Sequence, residues 1–404
     1  MLHQIDARHV EKTVRTLVSF GTRNTLSSQD DPKRGIGAAR DWLYGQFQEI
    51  AKTSEGRMTV ELQTFEQAPG NRIPTATKLT NVVATLRGTE SPDRIYVVSG
   101  HYDSMCTSPT DAQCDAPGAD DDASGVATVL EAARVMAPHK FNATIVFMAV
   151  AGEEQGLYGS TYFVKQAKEK NWDIDAMFTN DIVGNGTDTL RVFAESSPVI
   201  TPAAGGENDG PSRQLAREII ETARKYLPNF HVKMIYRRDR YLRSGDHVPF
   251  LEQGYPAVRF TEPNENYHHQ HQNVRVEDGV QYGDLPEFDK WTYIANVARV
   301  NTAALATLAL APARPKDVHI LTTRLTNDTD LEWQANSEPD FDHYEIVWRE
   351  TTEPLWTHSK AIGSDTKYTA PNMSKDNWLF GVRAVSRGGA KSPASYPTPV
   401  RRQP

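Results

Sequence analysis

Short apolar runs rich in β-branched residues alternate with longer amphipathic segments over the first three quarters of the chain. The runs that predict buried strands are 94–99, 144–151, 176–182 and 255–260. The segments that predict helices are 123–136, 158–170, 211–226 and 290–308. This alternation predicts an α/β fold with a mixed, largely parallel central sheet flanked by helices. In such a fold, functional side chains lie on loops at the carboxyl ends of strands.

The character of the sequence changes after position 310. A Pro-containing linker at 311–316 is followed by short strand-like runs and turn residues, which fill 317–404. A single hydrophobic core stops growing near ~250–300 residues. The chain is therefore predicted to form an α/β domain at 1–310 and an all-β sandwich domain at 317–404. The tract at 378–393 resembles fibronectin type III domains, and the second domain is expected to bind a partner or polymer, or to cover part of the first.

Charge and hydropathy exclude several classes of protein. The formal net charge is -8 and the mean hydropathy is -0.56, so the chain presents no basic field for a nucleic acid or an anionic membrane. No run approaches the ~18 apolar residues that a membrane span requires. The first ten residues carry no apolar signal region. This start predicts either a cytosolic protein, or a secreted or periplasmic one whose signal peptide is absent from this sequence.

The two cysteines favour an oxidising compartment. Cys106 and Cys114 stand close together in one short segment, which predicts a single local disulfide and hence a secreted or periplasmic protein. Two free thiols are the alternative. Nothing in the sequence resembles the paired C-x-x-C spacing of a cysteine metal site.

Three adjacent acids, Asp120, Asp121 and Asp122, precede a predicted helix. An acid at a helix N-terminus can cap the backbone and interact favourably with the helix dipole, but one acid suffices for that role. Three carboxylates in a row repel one another unless cations neutralise them. We therefore expect at least one of them to bind metal, with Asp121 bridging two ions and Asp122 near the helix start.

A pair of glutamates, Glu153 and Glu154, follows the predicted strand at 144–151. Adjacent residues of an extended segment point in opposite directions. One carboxylate can therefore bind a metal ion while the other faces an attacking water molecule. Exposed charge at the end of a strand is the alternative interpretation, but the apolar run before the pair favours a functional role.

Further candidate ligands follow other predicted strands. His101 precedes Asp103 by two positions, so the Asp103 carboxylate can accept a hydrogen bond from the imidazole and fix its tautomer. Asp181 ends a strand, and the segment NYHHQHQN at 266–273 contains three histidines. Ligation by His, Asp and Glu without thiolate suits Zn²⁺, and two such ions lie ~3.5–4 Å apart in co-catalytic hydrolases.

The series GHYDS, PGADDDASG, AGEEQGLYGS, NDIVG and NYHHQHQN resembles the MH-clan zinc peptidases typified by bacterial leucyl aminopeptidase, over about residues 75–300. The resemblance implies a zinc exopeptidase fold and an aminopeptidase that acts on peptides with a free N-terminus. It also implies two Zn²⁺ ions, Glu153 as general base, and a cis peptide bond after a bridging Asp121. The other ligands that it implies are His101 and Asp181 for one zinc, and Glu154 and a late histidine for the other.

The late histidine is not uniquely defined by the motif. The family commonly has Asp four residues after the ligand histidine, and Asn273 stands four residues after His269. We therefore predict His269 as the ligand, with His268 and His271 as alternatives.

The run YRRDRYLRS at 236–244 contains four arginines, and a loop at this place lines the substrate pocket in the family that the chain resembles. Arg243 and its neighbours are predicted either to bind a substrate carboxylate or to be solvated charges paired with Asp239 and Asp246. Tyr241 is predicted to stabilise the oxyanion of the tetrahedral intermediate.

Other functions within the same clan are alternatives to the aminopeptidase. They are a carboxypeptidase or dipeptidase, and a glutaminyl cyclase, whose relatives work with one zinc. A non-catalytic receptor-like homologue would lose ligands, whereas this chain keeps all the positions implied above together with Glu153.

Overall fold

The structure is a computed structural model that describes residues 1–195 and 209–400. The strands of its largest sheet are β1 (Met58–Gln67), β2 (Thr77–Leu86), β3 (Ser91–His101), β4 (Ala143–Val150), β5 (Asp173–Asn180), β6 (Thr189–Ala194), β7 (His231–Ile235) and β8 (Ala257–Thr261). Their order is β1-β2-β4-β3-β5-β8-β6-β7. The central strands β4, β3, β5 and β8 run parallel, and β2 and β6 pair with them antiparallel. The predicted mixed, largely parallel α/β sheet is confirmed.

Helices cover both faces of this sheet. The α-helices in the described part of the chain are α1 (Ala7–Ser19), α2 (Ile36–Ala51), α3 (Ser124–Met136), α4 (Tyr158–Glu169), α5 (Pro211–Tyr226), α6 (His247–Glu252) and α7 (Trp291–Leu310). Val98 belongs to the apolar core with α1, α2, α3, α5 and α7, whereas its neighbour Val97 packs with α4 and α6. Both faces of β3 are therefore buried, which explains its nearly continuous apolar sequence. Among the described residues, no helix combines the length and the apolar character that a membrane span requires.

The parallel strands bring the candidate site together at one edge of the sheet. Strand β3 ends at His101, β5 ends just before Asp181, and β4 ends shortly before the glutamate pair. The start of α3 lies against the end of β3, and a Cβ on Gly100 would lie 2.5 Å from the Gly125 carbonyl carbon. Glycine at position 100 thus permits the close approach that brings the aspartate run beside His101.

The strands after α7 form two further sheets. These strands are β11 (His319–Leu321), β12 (Thr329–Glu332), β13 (Phe341–Glu350), β14 (His358–Ala361), β15 (Lys367–Ala370), β16 (Trp378–Ser386) and β17 (Thr398–Val400). A separate hairpin before α7 consists of β9 (Arg275–Glu277) and β10 (Val280–Tyr282). The sheet orders are β15-β12-β11-β17 and β14-β13-β16, and the two sheets share one apolar cluster that includes Trp333 and Tyr344. The division into domains at 1–310 and 317–404, and the fibronectin type III likeness, stay predictions.

Candidate metal centre

Six carboxylate and imidazole side chains meet at the edge of the sheet where the parallel strands end. They form two groups, in each of which the ligand atoms lie within 4.8 Å of one another: His101, Glu153 and Asp181 in one, and Asp121, Glu154 and His271 in the other. Asp121 joins the groups, because its Oδ1 lies 3.1 Å from His101 Nε2 and its Oδ2 lies 3.0 Å from His271 Nε2. A carboxylate in this position can bridge two cations.

The donor atoms of this cluster fit metal ions. Within the described part of the chain, His101 Nε2 and Glu154 Oε1 are buried and have no hydrogen-bond partner. A buried polar atom is costly unless it is hydrogen-bonded or binds another partner such as a metal. Imidazole nitrogens and carboxylate oxygens are also the non-thiolate ligands that Zn²⁺ takes in proteins.

The electrostatics of the cluster are consistent with cation binding. Burial raises the pKa of Glu153 well above its usual range, and the charges of Asp181 and Glu154 add to this effect. Burial also acts to raise the pKa of Asp121, but the imidazoles of His101 and His271, whose Nε2 atoms lie 3.1 and 3.0 Å from its carboxylate, outweigh burial and hold that pKa well below its usual range. Several carboxylates are thus crowded into a buried volume, an arrangement that nearby positive charge stabilises.

Asp103 positions the glutamate pair. Its Oδ1 accepts a hydrogen bond from the Glu153 N–H (3.2 Å), and its Oδ2 accepts one from the Glu154 N–H (3.1 Å). The sequence predicted that this carboxylate would accept a hydrogen bond from the His101 imidazole. In the structure, His101 Nδ1 lies closer to the Asp103 backbone carbonyl oxygen (3.1 Å) than to the carboxylate Oδ1 (3.6 Å). The Asp103 carboxylate is directed instead toward the backbone N–H groups of Glu153 and Glu154.

Asp122 connects the end of β3 to the start of α3. Its Oδ2 accepts a hydrogen bond from the His101 N–H (2.9 Å), and its Oδ1 accepts one from the Gly125 N–H (3.0 Å). The peptide bond between Asp121 and Asp122 is cis, as the family resemblance implies. Asp122 belongs to neither donor group, and its carboxylate fixes the backbone of His101.

The structure brings His271, and not the predicted His269, to the cluster. His269 stacks on Phe288 with ring centroids 3.7 Å apart, and its Nε2 lies 3.2 Å from Asn266 Nδ2. His271 has a φ of 53°, and its Nε2 lies 3.1 Å from Glu154 Oε2. Packing thus holds His269 away from the cluster, and the left-handed turn at position 271 places His271 there.

The predicted substrate-pocket residues lie outside the cluster. The Tyr241 side chain is 80% exposed, and its oxygen accepts a hydrogen bond from Arg237 at 2.9 Å, so the structure does not bring it to the metal ligands. Arg243 Nη1 lies 3.7 Å from Glu265 Oε2. Cys106 and Cys114 form the predicted disulfide, which closes the loop between His101 and the aspartate run.

Three supporting residues were not found by sequence reasoning. Arg259 Nη1 lies 2.5 Å from Asp181 Oδ2, and the Asp284 carboxylate accepts hydrogen bonds from the N–H groups of Asp120 and Asp121. Arg23 is buried and donates to the carbonyls of Tyr102, Pro117 and Gly118. A charged residue inside an apolar strand, as in YPAVRF, is the sequence signal that could have identified Arg259.

The fold and this cluster fit a metal-dependent enzyme. Residues 81–285 match the family described as Peptidase family M28. A probable zinc metalloprotease of Leptosphaeria maculans is 47% identical over 99% of this chain and 96% of its own length. A second, of Pyrenophora teres f. teres, is 46% identical over 99% of this chain and 86% of its own length. The chain therefore belongs to peptidase family M28.

Solved structures of low sequence identity share the fold. LapA of Legionella pneumophila, described as an aminopeptidase, has a TM-score of 0.55 at 21% identity, covering 76% of this chain and 72% of its own. An aminopeptidase from Aneurinibacillus sp. strain AM-1 has a TM-score of 0.54 at 16% identity, covering 76% and 95%. A glutaminyl cyclase of Porphyromonas gingivalis has a TM-score of 0.52 at 20% identity, covering 74% and 97%. The shared fold alone thus does not separate peptide hydrolysis from cyclisation.

Proposed function

We propose that this protein is an aminopeptidase that hydrolyses the N-terminal residue from peptides with a free N-terminus and uses two zinc ions. The observation that carries the proposal is the Asp121 carboxylate, which lies between His101 and His271 and joins the two donor groups. The fold likeness to two structures described as aminopeptidases supports it.

Five of the six side chains in the two donor groups are the proposed zinc ligands, and the sixth, Glu153, has a different proposed role. His101 and Asp181 would hold one zinc, Glu154 and His271 the other, and Asp121 both. His271 thus takes the role assigned to His269 from the sequence. Two bound zinc ions supply acidification of a water molecule and polarisation of the scissile carbonyl.

Glu153 is the proposed general base. Its side chain is half-buried, whereas Glu154 is only 4% exposed, so Glu153 is the member of the pair with access to solvent and substrate. Its carboxylate would accept a proton from the attacking water and deliver it to the leaving amine. Asp103 contributes by fixing the Glu153 backbone through the hydrogen bond at 3.2 Å.

The test combines turnover with metal analysis. Glu153→Gln should lower the hydrolysis of leucine p-nitroanilide by about 10²–10⁴-fold, while the variant keeps two zinc ions per chain. Glu169→Gln at the exposed end of α4 is the matched control and should retain wild-type turnover. Full turnover in Glu153→Gln would contradict the role of this residue.

The substrate that is converted and the number of zinc ions per chain distinguish the aminopeptidase from a glutaminyl cyclase and from a carboxypeptidase. One zinc per chain, with cyclisation of N-terminal glutamine peptides, would favour the cyclase. Hydrolysis of N-terminally blocked dipeptides without hydrolysis of free aminoacyl substrates would favour the carboxypeptidase. Activity on aminoacyl substrates with two zinc ions would support the aminopeptidase.

We also propose that the protein is secreted and that the C-terminal sheets cover part of the peptidase domain. The Cys106–Cys114 disulfide supports an extracellular location. Two short contacts support the covering role: Arg349 Nη2 lies 2.7 Å from Asp209 Oδ2, and Arg383 Nη1 lies 2.8 Å from Glu221 Oε2. Truncation after Pro315 should then lower the melting temperature, whereas a pure polymer-binding module would leave it unchanged.

A further inference from the structure

Three arginines line a cavity between the start of α5 and the end of β13. Arg213 and Arg217 lie four positions apart in the first turns of α5, which places them on the same side of the helix. Arg349 is the last residue but one of β13. Together with Asp209 and Tyr236, the three arginines line a cavity of about 430 Å³. None of the six side chains of the candidate metal centre lines this cavity, so it is a separate site.

Asp209 compensates only part of the positive charge of the three arginines. Its Oδ1 lies 2.8 Å from Arg217 Nη2, and its Oδ2 lies 2.7 Å from Arg349 Nη2. Burial acts to raise the pKa of Asp209, but the charges of Arg217 and Arg349 outweigh burial and lower it. The second acid of the cavity, Glu353, is exposed, and its backbone carbonyl accepts a hydrogen bond from Arg349. Positive charge therefore exceeds negative charge among the described residues that line the cavity.

The start of α5 is an unfavourable place for cations. The helix dipole is positive at this end, and the N-cap residue Gly210 provides no side-chain hydrogen bond. Like charges four positions apart on a helix also repel one another. Burial lowers the pKa of Arg213, Asp209 opposes this effect, and the two other arginines add to it. A bound anion would relieve the repulsion among the arginines and interact favourably with the helix dipole.

Two buried donor atoms lack an acceptor within the described part of the chain. They are Arg217 Nη1 and Arg349 Nε, and both residues line the cavity. Other contacts fix the two side chains: Arg217 Nε donates to the Pro354 carbonyl at 2.7 Å. The central guanidinium carbons of Arg217 and Arg349 lie 5.6 and 5.3 Å from the centroid of the Trp356 ring. An anion in the cavity would supply the acceptors that these buried donors lack.

We propose that this cavity binds a phosphate group, which joins α5 to β13. The inference goes beyond the proposed peptidase function and does not depend on it. Guanidinium groups bind phosphate through paired hydrogen bonds, and three of them around one cavity supply donors for several oxygens of a tetrahedral anion. The phosphate group has two possible sources, free inorganic phosphate or a small phosphate ester.

Calorimetric titration of the zinc-loaded protein with inorganic phosphate tests the site, with sodium chloride at matched ionic strength as the reference. Arg213→Gln should weaken phosphate binding by about 10-fold or more. This substitution changes a half-buried position, so the fold should be kept, and circular dichroism checks that it is. Arg224→Gln removes an exposed arginine from the last turn of the same helix and should bind phosphate as tightly as the wild type does.

A second variant separates the cavity from the metal centre. Arg349→Lys keeps the charge but loses the planar pair of donors, so it should also weaken phosphate binding. Phosphate bound to zinc would be retained at wild-type affinity in both Arg213→Gln and Arg349→Lys. That result, or the absence of phosphate binding to the wild type, would overturn the proposal.

Glycerol 3-phosphate distinguishes the two sources of the phosphate group. Tighter binding of this ester than of inorganic phosphate, lost in Arg213→Gln, would identify a phosphate ester as the ligand. Weaker binding of the ester would identify the free ion. Phosphate binding that depends on Arg213 in a protein without aminopeptidase turnover would overturn the proposed function and keep the phosphate site.

Discussion

The guanidinium of Arg259 lies 2.5 Å from the carboxylate of Asp181, and both side chains are buried. Arg259 belongs to β8, Asp181 directly follows β5, and these strands are parallel neighbours in the sheet. Arg259 also donates a hydrogen bond to the Ser244 carbonyl at 3.0 Å. A candidate metal ligand is thus held in position by a charged side chain from the adjacent strand.

Arg259→Met should destabilise the fold. The substitution keeps a long side chain but leaves the buried Asp181 without its partner, so we expect the free energy of unfolding to fall by about 3–5 kcal/mol. Zinc should restore part of this loss, because a bound cation also compensates Asp181. Urea denaturation with and without zinc measures both effects. Arg8→Met, which alters a side chain that is 87% exposed, is the control, and equal stability of the two variants would refute the prediction.

His271→Ala and His269→Ala should differ in metal content. His271 Nε2 lies 3.0 Å from Asp121 Oδ2 and 3.1 Å from Glu154 Oε2, whereas His269 stacks on Phe288. We expect His271→Ala to lose about one zinc per chain and at least about 10²-fold in turnover, and His269→Ala to keep both ions. Metal analysis after dialysis provides the measurement. The reverse pattern would restore the original choice of His269.

Removing the disulfide should lower stability. Cys106 and Cys114 are separated by 8 positions, and closing a loop of this length stabilises a fold by about 2–3 kcal/mol in the chain-entropy account. The double variant Cys106→Ser/Cys114→Ser should unfold at correspondingly lower urea concentration. Reductant should shift the wild-type midpoint toward that of the variant and leave the variant unchanged. If reductant shifted the midpoints of both proteins equally, the shift would not come from the disulfide, and the prediction would be contradicted.

Glu218 should make stability depend on pH. Burial raises its pKa from 4.5 to about 8, with Arg383 opposing the shift, Glu221 adding to it and Lys391 opposing it. Between these two values the folded chain binds more protons at this site than the unfolded chain, so this contribution to stability decreases as the pH rises. The slope is at most about 1.4 kcal/mol per pH unit.

Glu218→Gln removes the titrating group and tests this reasoning. Its free energy of unfolding should be close to that of the wild type at pH 5 and should exceed it at pH 8. Urea denaturation across that range measures the difference, and Glu61→Gln on the exposed side of β1 is the control. A constant difference between Glu218→Gln and the wild type at every pH would disprove the assignment.

Much of the fold could be predicted because its central elements have strong local patterns. The apolar run at 144–151 became β4, and the amphipathic segment at 211–226 became α5 with the same bounds. The edge strand β1 and its neighbour β2 were not predicted. Most of β1 is exposed or half-buried, so its sequence MTVELQTFEQ lacks the continuous apolar run by which the central strands were found.

By itself, the sequence determined which kinds of ligand are available and that they follow different strands. His101, Asp121, Glu154 and Asp181 carry this information in their residue types and in the apolar runs or helix beside them. Only the tertiary structure decided that His271 is the histidine of NYHHQHQN that reaches Asp121. It also decided that Arg259 forms an ion pair with Asp181. The physical reason is that local patterns encode strands and helices, whereas the direction of a loop side chain depends on the residues it packs against, such as Phe288 beneath His269.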